Sequence, residues 1–119
     1  MDAESCVDPA AINKLAQLGG EEFVTKMIDL FLSYTPQKLA EARAAERTGD
    51  LSGVQKAVHP IKSSAANIGA RPMRDLAARI ERLASDQHRE SLGALLTELE
   101  AAYEQVTAHL QEHRKELGA

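Results

Sequence analysis

Several residue types are scarce in this 119-residue chain, and each scarcity excludes a class of protein. Tryptophan is absent and only four residues are aromatic, so the core must be built from aliphatic side chains. The one cysteine, Cys6, cannot form an internal disulfide, which favours a cytoplasmic location. No apolar run approaches the roughly 18 to 20 residues of a membrane span, and the acidic N-terminus does not read as a secretory signal. We therefore expect no membrane association.

Basic residues are in deficit as well. Lys and Arg total 14 against 18 Asp and Glu, which gives a formal net charge of −4. A nucleic-acid binder normally carries a basic stripe, so we expect no nucleic-acid partner. The chain has the length of one ordinary domain, and 44% of its residues are hydrophobic. We predict a single domain over residues 8–119 behind a flexible tail over residues 1–7.

Helix signals run along the whole chain. A cap at Asp8–Pro9 and a stop at Gly19–Gly20 predict a short first helix. Its expected inward residues are Ile12, Leu15 and Leu18. A second helix is predicted from about residue 21 to residue 49, and Pro36 is expected to kink or split it. The apolar stripe expected to face the core consists of Phe23, Met27, Leu30, Phe31, Tyr34, Leu39 and Ala42.

A third helix, between Asp50 and Gly69, carries an unbroken heptad seam. Its apolar residues, spaced alternately three and four apart, are Leu51, Val54, Val58, Ile61, Ala65 and Ile68. The seam places His59 on the solvent side, with Lys62 and Ser63 at i+3 and i+4 and Ala66 one turn further on. Periodicity alone reads His59 as an ordinary solvated residue.

Pro60 lies inside this third helix, directly after His59. It removes the hydrogen bond to the carbonyl of Lys56, which costs about 3 kcal/mol in an unadapted helix interior. The heptad count puts Pro60 on the solvent side, where water can satisfy that carbonyl. We therefore predict a local bend and not a break.

Two further helices complete the predicted fold. The fourth runs from Pro72 to about Ser85–Asp86, and its expected inward residues are Met73, Leu76, Ile80 and Leu83. The fifth runs from about residue 89 towards Leu117, and its expected inward residues are Leu92, Leu95, Leu96, Leu99, Tyr103, Val106 and Leu110. No segment alternates with the period of a strand. The predicted fold is all-α, an antiparallel up-down four-helix bundle with a short additional N-terminal helix.

The stretch "AVHPIKSSAANIGA" resembles the phosphoacceptor motif of the histidine-containing phosphotransfer (HPt) domains of bacterial two-component phosphorelays. The residues that match the motif are His59, Ile61, Lys62, Ser63, Ser64, Asn67 and Gly69. The segments "LAARIERLA" and "LAQLGGEEFVTKMIDLFL" also resemble parts of that family. Pro60 departs from the common pattern, in which Thr, Lys or Arg often follows the histidine.

The resemblance implies that His59 accepts a phosphoryl group through Nε2 from the aspartate of a receiver domain and passes it to another receiver. Lys62 would supply positive potential for the phosphoryl group. Glu81 matches a family position that hydrogen-bonds the other imidazole nitrogen, although an ordinary surface glutamate is an equal alternative. The chain itself should bind no cofactor, since the receiver would supply Mg²⁺.

The partner is expected to approach over short side chains, Ser63 and Ala66. Lys56, Arg71 and Arg74 form a basic rim for an acidic receiver face, or are simply solvated. No glycine-rich phosphate loop is present, so we expect no ATP-dependent kinase activity of the chain's own. A monomer is expected, either free-standing or a module of a hybrid kinase.

Two alternatives remain open at this point. The chain could be a non-catalytic helical adaptor that docks a signalling partner through the same helix face. The stretch "HLQEH", with His109 and His113, fits a zinc-peptidase pattern, but it lacks a third ligand downstream. A solvated terminal helix is the better interpretation, and no metal site is expected.

Overall fold

Four helices make up nearly all of the chain that this computed structural model describes, residues 6–118. Helix α1 spans Pro9–Arg47, α2 spans Leu51–Ile68, α3 spans Arg71–Ser85 and α4 spans Leu92–Gly118. No strand occurs among residues 6–118. The predicted all-α class is confirmed.

Contacts between α1 and α4 show that these two helices run antiparallel. Asp29 pairs with Arg114 at 2.6 Å, and Arg43 pairs with Glu100 at 2.8 Å, so residue numbers rise along one helix as they fall along the other. Helix α2 packs against α1 and α3, and α4 packs against the same two helices. Sequential helices are therefore neighbours in space, which is the up-down arrangement that the sequence predicts.

The predicted short N-terminal helix is the first part of α1. Asp8 caps it by accepting a hydrogen bond from the backbone N–H of Ala10 at 3.0 Å. Gly20 ends it with a kink, at φ 79° and ψ −173°, where the backbone leaves helical geometry. Because an L side chain disfavours this positive φ, glycine fits the position well. Helical geometry resumes at once, so α1 continues to Arg47.

Pro36 does not split α1, contrary to one of the two predicted outcomes. Within α1 only Gly20 departs from helical dihedral angles. The hydroxyl of Tyr103, on α4, donates a hydrogen bond to the carbonyl of Leu32 at 3.2 Å. Leu32 lies four residues before Pro36, and its carbonyl is the one that proline cannot serve. A neighbouring helix therefore supplies the missing donor.

The core face of α1 is rotated from the predicted stripe. Leu18, Leu30 and Tyr34 are 70%, 53% and 40% exposed, so these predictions were wrong. The residues that the second part of α1 buries are Val24, Ile28, Phe31, Thr35, Leu39 and Ala42. Since α1 contacts both α2 and α4, it buries the stripe that lies between these two neighbours. Phe23 and Met27 are half-buried at its edge.

Helix α2 follows its prediction closely. All six seam residues are buried, and Gly69 ends the helix in the left-handed conformation at φ 83°. A β-carbon at Gly69 would lie 2.6 Å from that of Ala11, because the carbonyl of Gly69 accepts a hydrogen bond from the backbone of Asp8 at 2.7 Å. The turn after α2 thus anchors the start of α1.

The remaining core predictions hold with small changes. In α3, Met73 and Ile80 are buried, whereas Leu76 and Leu83 are half-buried because Ala77 and Ala84 take the most central positions. The predicted inward residues of α4 are buried, except that Tyr103 is half-buried.

The chain before α1 also packs more tightly than the sequence suggests. Cys6 and Val7 are buried, with Val7 only 1% exposed, although the sequence predicts that they belong to a flexible tail. The thiol of Cys6 faces the carbonyl of Gln105 on α4, at 3.9 Å. The rest of the predicted tail, residues 1–5, lies outside the described residues.

Candidate functional site

His59 stands on the solvent-facing side of α2, as the heptad count predicts. Its side chain is 60% exposed. Helix α2 runs through Pro60 without a break, so the predicted continuity is confirmed. Pro60 is half-buried, however, and not fully on the solvent side. The exposed position of His59 thus follows from the buried seam on the opposite face of the same helix.

Glu81 on α3 joins His59 and Lys62 through a single carboxylate. Its Oε2 lies 2.6 Å from Nδ1 of His59, and its Oε1 accepts a hydrogen bond from the ammonium of Lys62 at 2.6 Å. The Glu81 side chain is only 17% exposed. Of the two interpretations left open by the sequence, the structure favours the imidazole partner over the ordinary surface glutamate.

The charge of Glu81 determines which imidazole nitrogen carries the proton. Partial burial raises the pKa of Glu81, but hydrogen bonds from Lys62 and His59 outweigh it and hold the pKa below its usual value. The carboxylate is therefore ionised near neutral pH and can only accept hydrogen bonds. Nδ1 of His59 must then be the donor, which leaves the lone pair of a neutral ring on Nε2. No described residue hydrogen-bonds Nε2.

Lys62 is one helical turn from His59, as predicted, but its ammonium is already paired. The side chain is 33% exposed, and its charge lies against Glu81 instead of standing free beside the imidazole. Within the described residues, the Glu81 carboxylate, the His59 imidazole and the Lys62 ammonium form one hydrogen-bonded group. Its geometry fits a nucleophilic imidazole held in one tautomer.

The residues expected to meet a partner lie along α2 and on the first turn of α3. Ser63 and Ala66 are exposed on α2, and Lys56 is exposed as well. Two arginines of the expected basic rim have acidic partners: Arg71 pairs with Asp8 at 2.8 Å, and Arg74 pairs with Asp75 at 2.9 Å. The rim is therefore less positive than the sequence alone suggests.

The sequence pattern does not predict an apolar groove that the structure shows along α2, the helix that carries His59. It lies between α1 and α2, and its lining residues are Met27, Leu30, Phe31, Tyr34, Ser64, Asn67 and Ile68. The α1 residues of this groove form a helical stripe, and that stripe predicts that they face the core. The signal that could have revealed the groove is the second stripe, through Val24 and Ile28, which competes for the same core.

A family model for the Hpt domain matches residues 26–109 of this chain. The chain belongs to the Hpt domain family. The matched region contains His59, Lys62 and Glu81 together with most of the bundle. Proteins of this family are phosphotransfer carriers, not kinases, and they work in two-component phosphorelays with receiver-type partners.

Two individual proteins resemble this Hpt domain. Histidine-containing phosphotransfer protein 2 of Arabidopsis thaliana is 26% identical over 104 residues, which cover 85% of this chain and 67% of the plant protein. The crystal structure of histidine-containing phosphotransfer protein B from Pseudomonas aeruginosa PAO1 superposes with a TM-score of 0.89 at 20% identity. The superposition covers 93% of this chain and 96% of the Pseudomonas chain. The second similarity establishes the fold.

Neither a metal cluster nor a membrane span accompanies the Hpt site in residues 6–118. No group of three or more His, Cys, Asp or Glu side chains in this region could hold a metal ion. His109 and His113 are half-buried on α4. None of the described helices is both long and apolar enough to cross a membrane.

Proposed function

We propose that this Hpt domain accepts a phosphoryl group on Nε2 of His59 from a receiver-domain aspartate and passes it to another receiver. The observation that carries the proposal is the contact of Glu81 with Nδ1, because it leaves the Nε2 lone pair without a partner on an exposed ring. An imidazole arranged in this way is a nucleophile that needs no further base.

In the transfer step, one bond to phosphorus forms as another breaks. The Nε2 lone pair forms the new bond to phosphorus, and the bond from phosphorus to the aspartate oxygen breaks, so the electron pair leaves on the aspartate carboxylate. The ring gains positive charge and keeps its proton on Nδ1, where the carboxylate of Glu81 accepts that hydrogen bond. Passing the group to a second receiver reverses these changes.

The surface around His59 supports docking of a receiver. Short side chains at Ser63 and Ala66 leave room over the imidazole, and the groove lined by Leu30 and Tyr34 offers apolar area for a partner. Mg²⁺ would be bound in the acidic pocket of the receiver, where it neutralises the charge of the transferring group. We propose no metal on this chain.

Transfer of a radioactive phosphoryl group from a labelled receiver tests this proposal. We expect label on the wild-type chain within minutes and none on His59→Gln, because glutamine has no nucleophilic ring nitrogen. Matched controls are His88→Gln and His109→Gln, which remove other histidines and should keep full labelling.

The same experiment separates the carrier from the adaptor. If the chain binds the phosphorylated receiver but takes up no label, the adaptor function stands and the carrier function is wrong. Label that persists in His59→Gln would mean that another residue is the acceptor. Tryptic mapping of the labelled wild-type chain should place the phosphoryl group on the peptide that contains His59.

A further inference from the structure

Two prolines lie inside helices of this bundle, and the carbonyls that they free have different surroundings. The carbonyl of Leu32, four residues before Pro36, accepts a hydrogen bond from the hydroxyl of Tyr103 at 3.2 Å. The carbonyl of Lys56, four residues before Pro60, has no such replacement. Within the part of the chain that the structure describes, no side chain and no backbone group outside α2 donates a hydrogen bond to it. One carbonyl of α2 is therefore left without its usual donor.

This carbonyl belongs to the exposed surface that also carries His59. Lys56 and His59 are both exposed and are three residues apart, so they share one face of α2. Helical carbonyls point towards the C-terminal end of their helix, and one turn rises about 5.4 Å. The oxygen of Lys56 is thus directed towards Pro60, within about one turn of the imidazole. A receiver that brings its phosphorylated aspartate to His59 also covers this oxygen.

Covering the oxygen of Lys56 has an energetic consequence. In the free domain water can donate a hydrogen bond to it, because Lys56 is exposed. A docked receiver displaces that water, and an acceptor that is buried without a donor costs free energy. A receiver that presents an N–H or O–H group at this point avoids the cost, whereas a receiver with an apolar group there does not. Any residue other than proline at position 60 would remove this distinction, since its own N–H would pair with the carbonyl.

The following inference rests on the proposed function. We infer that Pro60 is a specificity-determining residue for receivers and that it acts through the carbonyl of Lys56. This carbonyl accepts a hydrogen bond from a donor group at the rim of the receiver's acidic pocket. Proline inside a helix is costly, and departures from local helix preference are expected at functional sites. Recognition of the receiver explains why the cost at Pro60, which no described donor offsets, lies next to the acceptor histidine.

Transfer kinetics with the full chain test this inference, using a panel of purified phosphorylated receiver domains. Pro60→Ala and Pro60→Val both supply a backbone N–H, and valine keeps most of the apolar volume of the proline ring. With the receiver that reacts fastest with the wild type, both variants should raise the half-saturating receiver concentration about three- to tenfold. The maximal rate should stay unchanged, because His59 is intact. Pro36→Ala is the matched control and should change neither quantity, since the hydroxyl of Tyr103 already serves the carbonyl of Leu32.

The panel also measures specificity. In Pro60→Ala the ratio of kcat/KM between the fastest and the slowest receivers should fall by at least about threefold, because the carbonyl no longer penalises a receiver without a donor. An unchanged ratio together with an unchanged half-saturating concentration overturns the inference. A loss in Pro60→Ala that Pro60→Val restores would assign the effect to the proline ring and would also overturn it.

The NMR resonance of the Lys56 carbonyl carbon, detected through the amide of Ala57, reports the hydrogen bond itself. A hydrogen bond moves this resonance to higher frequency. In the wild type the resonance should move when the receiver is added. In Pro60→Ala it should lie at higher frequency from the start and stay there.

A wild-type resonance that does not move on docking contradicts the inference. A wild-type chain that takes up no label contradicts the proposed function instead, whereas the carbonyl resonance reports docking and is decided separately.

Discussion

Among single residues, the site depends on a glutamate whose importance comes from its neighbours. Glu81 is one of many acidic residues in the chain, and within residues 6–118 it is the one that contacts both His59 and Lys62. Its ionised state fixes a tautomer, and the tautomer decides which ring nitrogen can react. The exposed imidazole therefore acquires its chemistry from a side chain on another helix.

Gln87 is another single residue with an expected effect on stability, because of its backbone conformation. Gln87 adopts φ 65° just after α3, and the turn is closed by a hydrogen bond from the backbone N–H of His88 to the carbonyl of Leu83 at 2.9 Å. This end of the helix favours glycine. We expect Gln87→Gly to raise the free energy of unfolding by about 0.5–1 kcal/mol.

Urea denaturation at neutral pH measures this change. Gln87→Ala is the matched control, because it removes the same side chain but keeps the β-carbon that disfavours positive φ, so it should give no gain. A Gln87→Gly variant no more stable than Gln87→Ala would contradict the explanation.

Among the helices, α1 shows how a helix keeps a proline in its interior. The carbonyl of Leu32 loses its donor to Pro36 and gains the hydroxyl of Tyr103 from α4. The ring of Tyr103 also packs against Phe31, with ring centroids 5.6 Å apart. The continuity of α1 at Pro36 thus depends on the contact of α1 with α4.

A double-mutant cycle between Pro36 and Tyr103 tests this link. Tyr103→Phe should lower the free energy of unfolding by about 1–3 kcal/mol, because the Leu32 carbonyl is left without a donor while the ring contact is kept. In a Pro36→Ala background the same substitution should cost much less, since alanine at that position supplies a backbone N–H. Equal costs in both backgrounds, measured by urea denaturation, would show that the hydroxyl does not replace the missing donor.

The whole molecule is an elongated bundle of 45 × 27 × 19 Å. Ion pairs of two carboxylates join neighbouring helices of this bundle. Asp29 joins α1 to Arg114 of α4, and Glu81 joins α3 to α2. The hydrogen bond from Arg114 lowers the pKa of Asp29, and the bonds from Lys62 and His59 outweigh burial and lower that of Glu81.

Stability should therefore fall in acid. Because both pKa values are lower in the folded state, the unfolded chain binds protons more readily as the pH drops. The stabilisation is complete at neutral pH and is lost below about pH 4, as the pH falls through the folded pKa values. Urea midpoints measured between pH 7 and pH 3 should decline, and the decline should be shallower in Asp29→Asn combined with Glu81→Gln. The exposed Glu90→Gln variant should decline like the wild type, and an equally steep decline in the double variant would contradict this assignment.

Local sequence was enough to predict the helices, the α2 seam, the stop at Gly69 and the outward position of His59, because each depends on the geometry of one helix or one turn. The packing of the helices was needed to decide which stripe of α1 is buried, since two stripes compete and the neighbouring helices select one. Packing also decided that Glu81 is shared by Lys62 and His59, and that Tyr103 serves the carbonyl freed by Pro36. The contacts of Glu81 with His59 and of Tyr103 with Leu32 join residues 22 and 71 positions apart, at separations that no local pattern encodes.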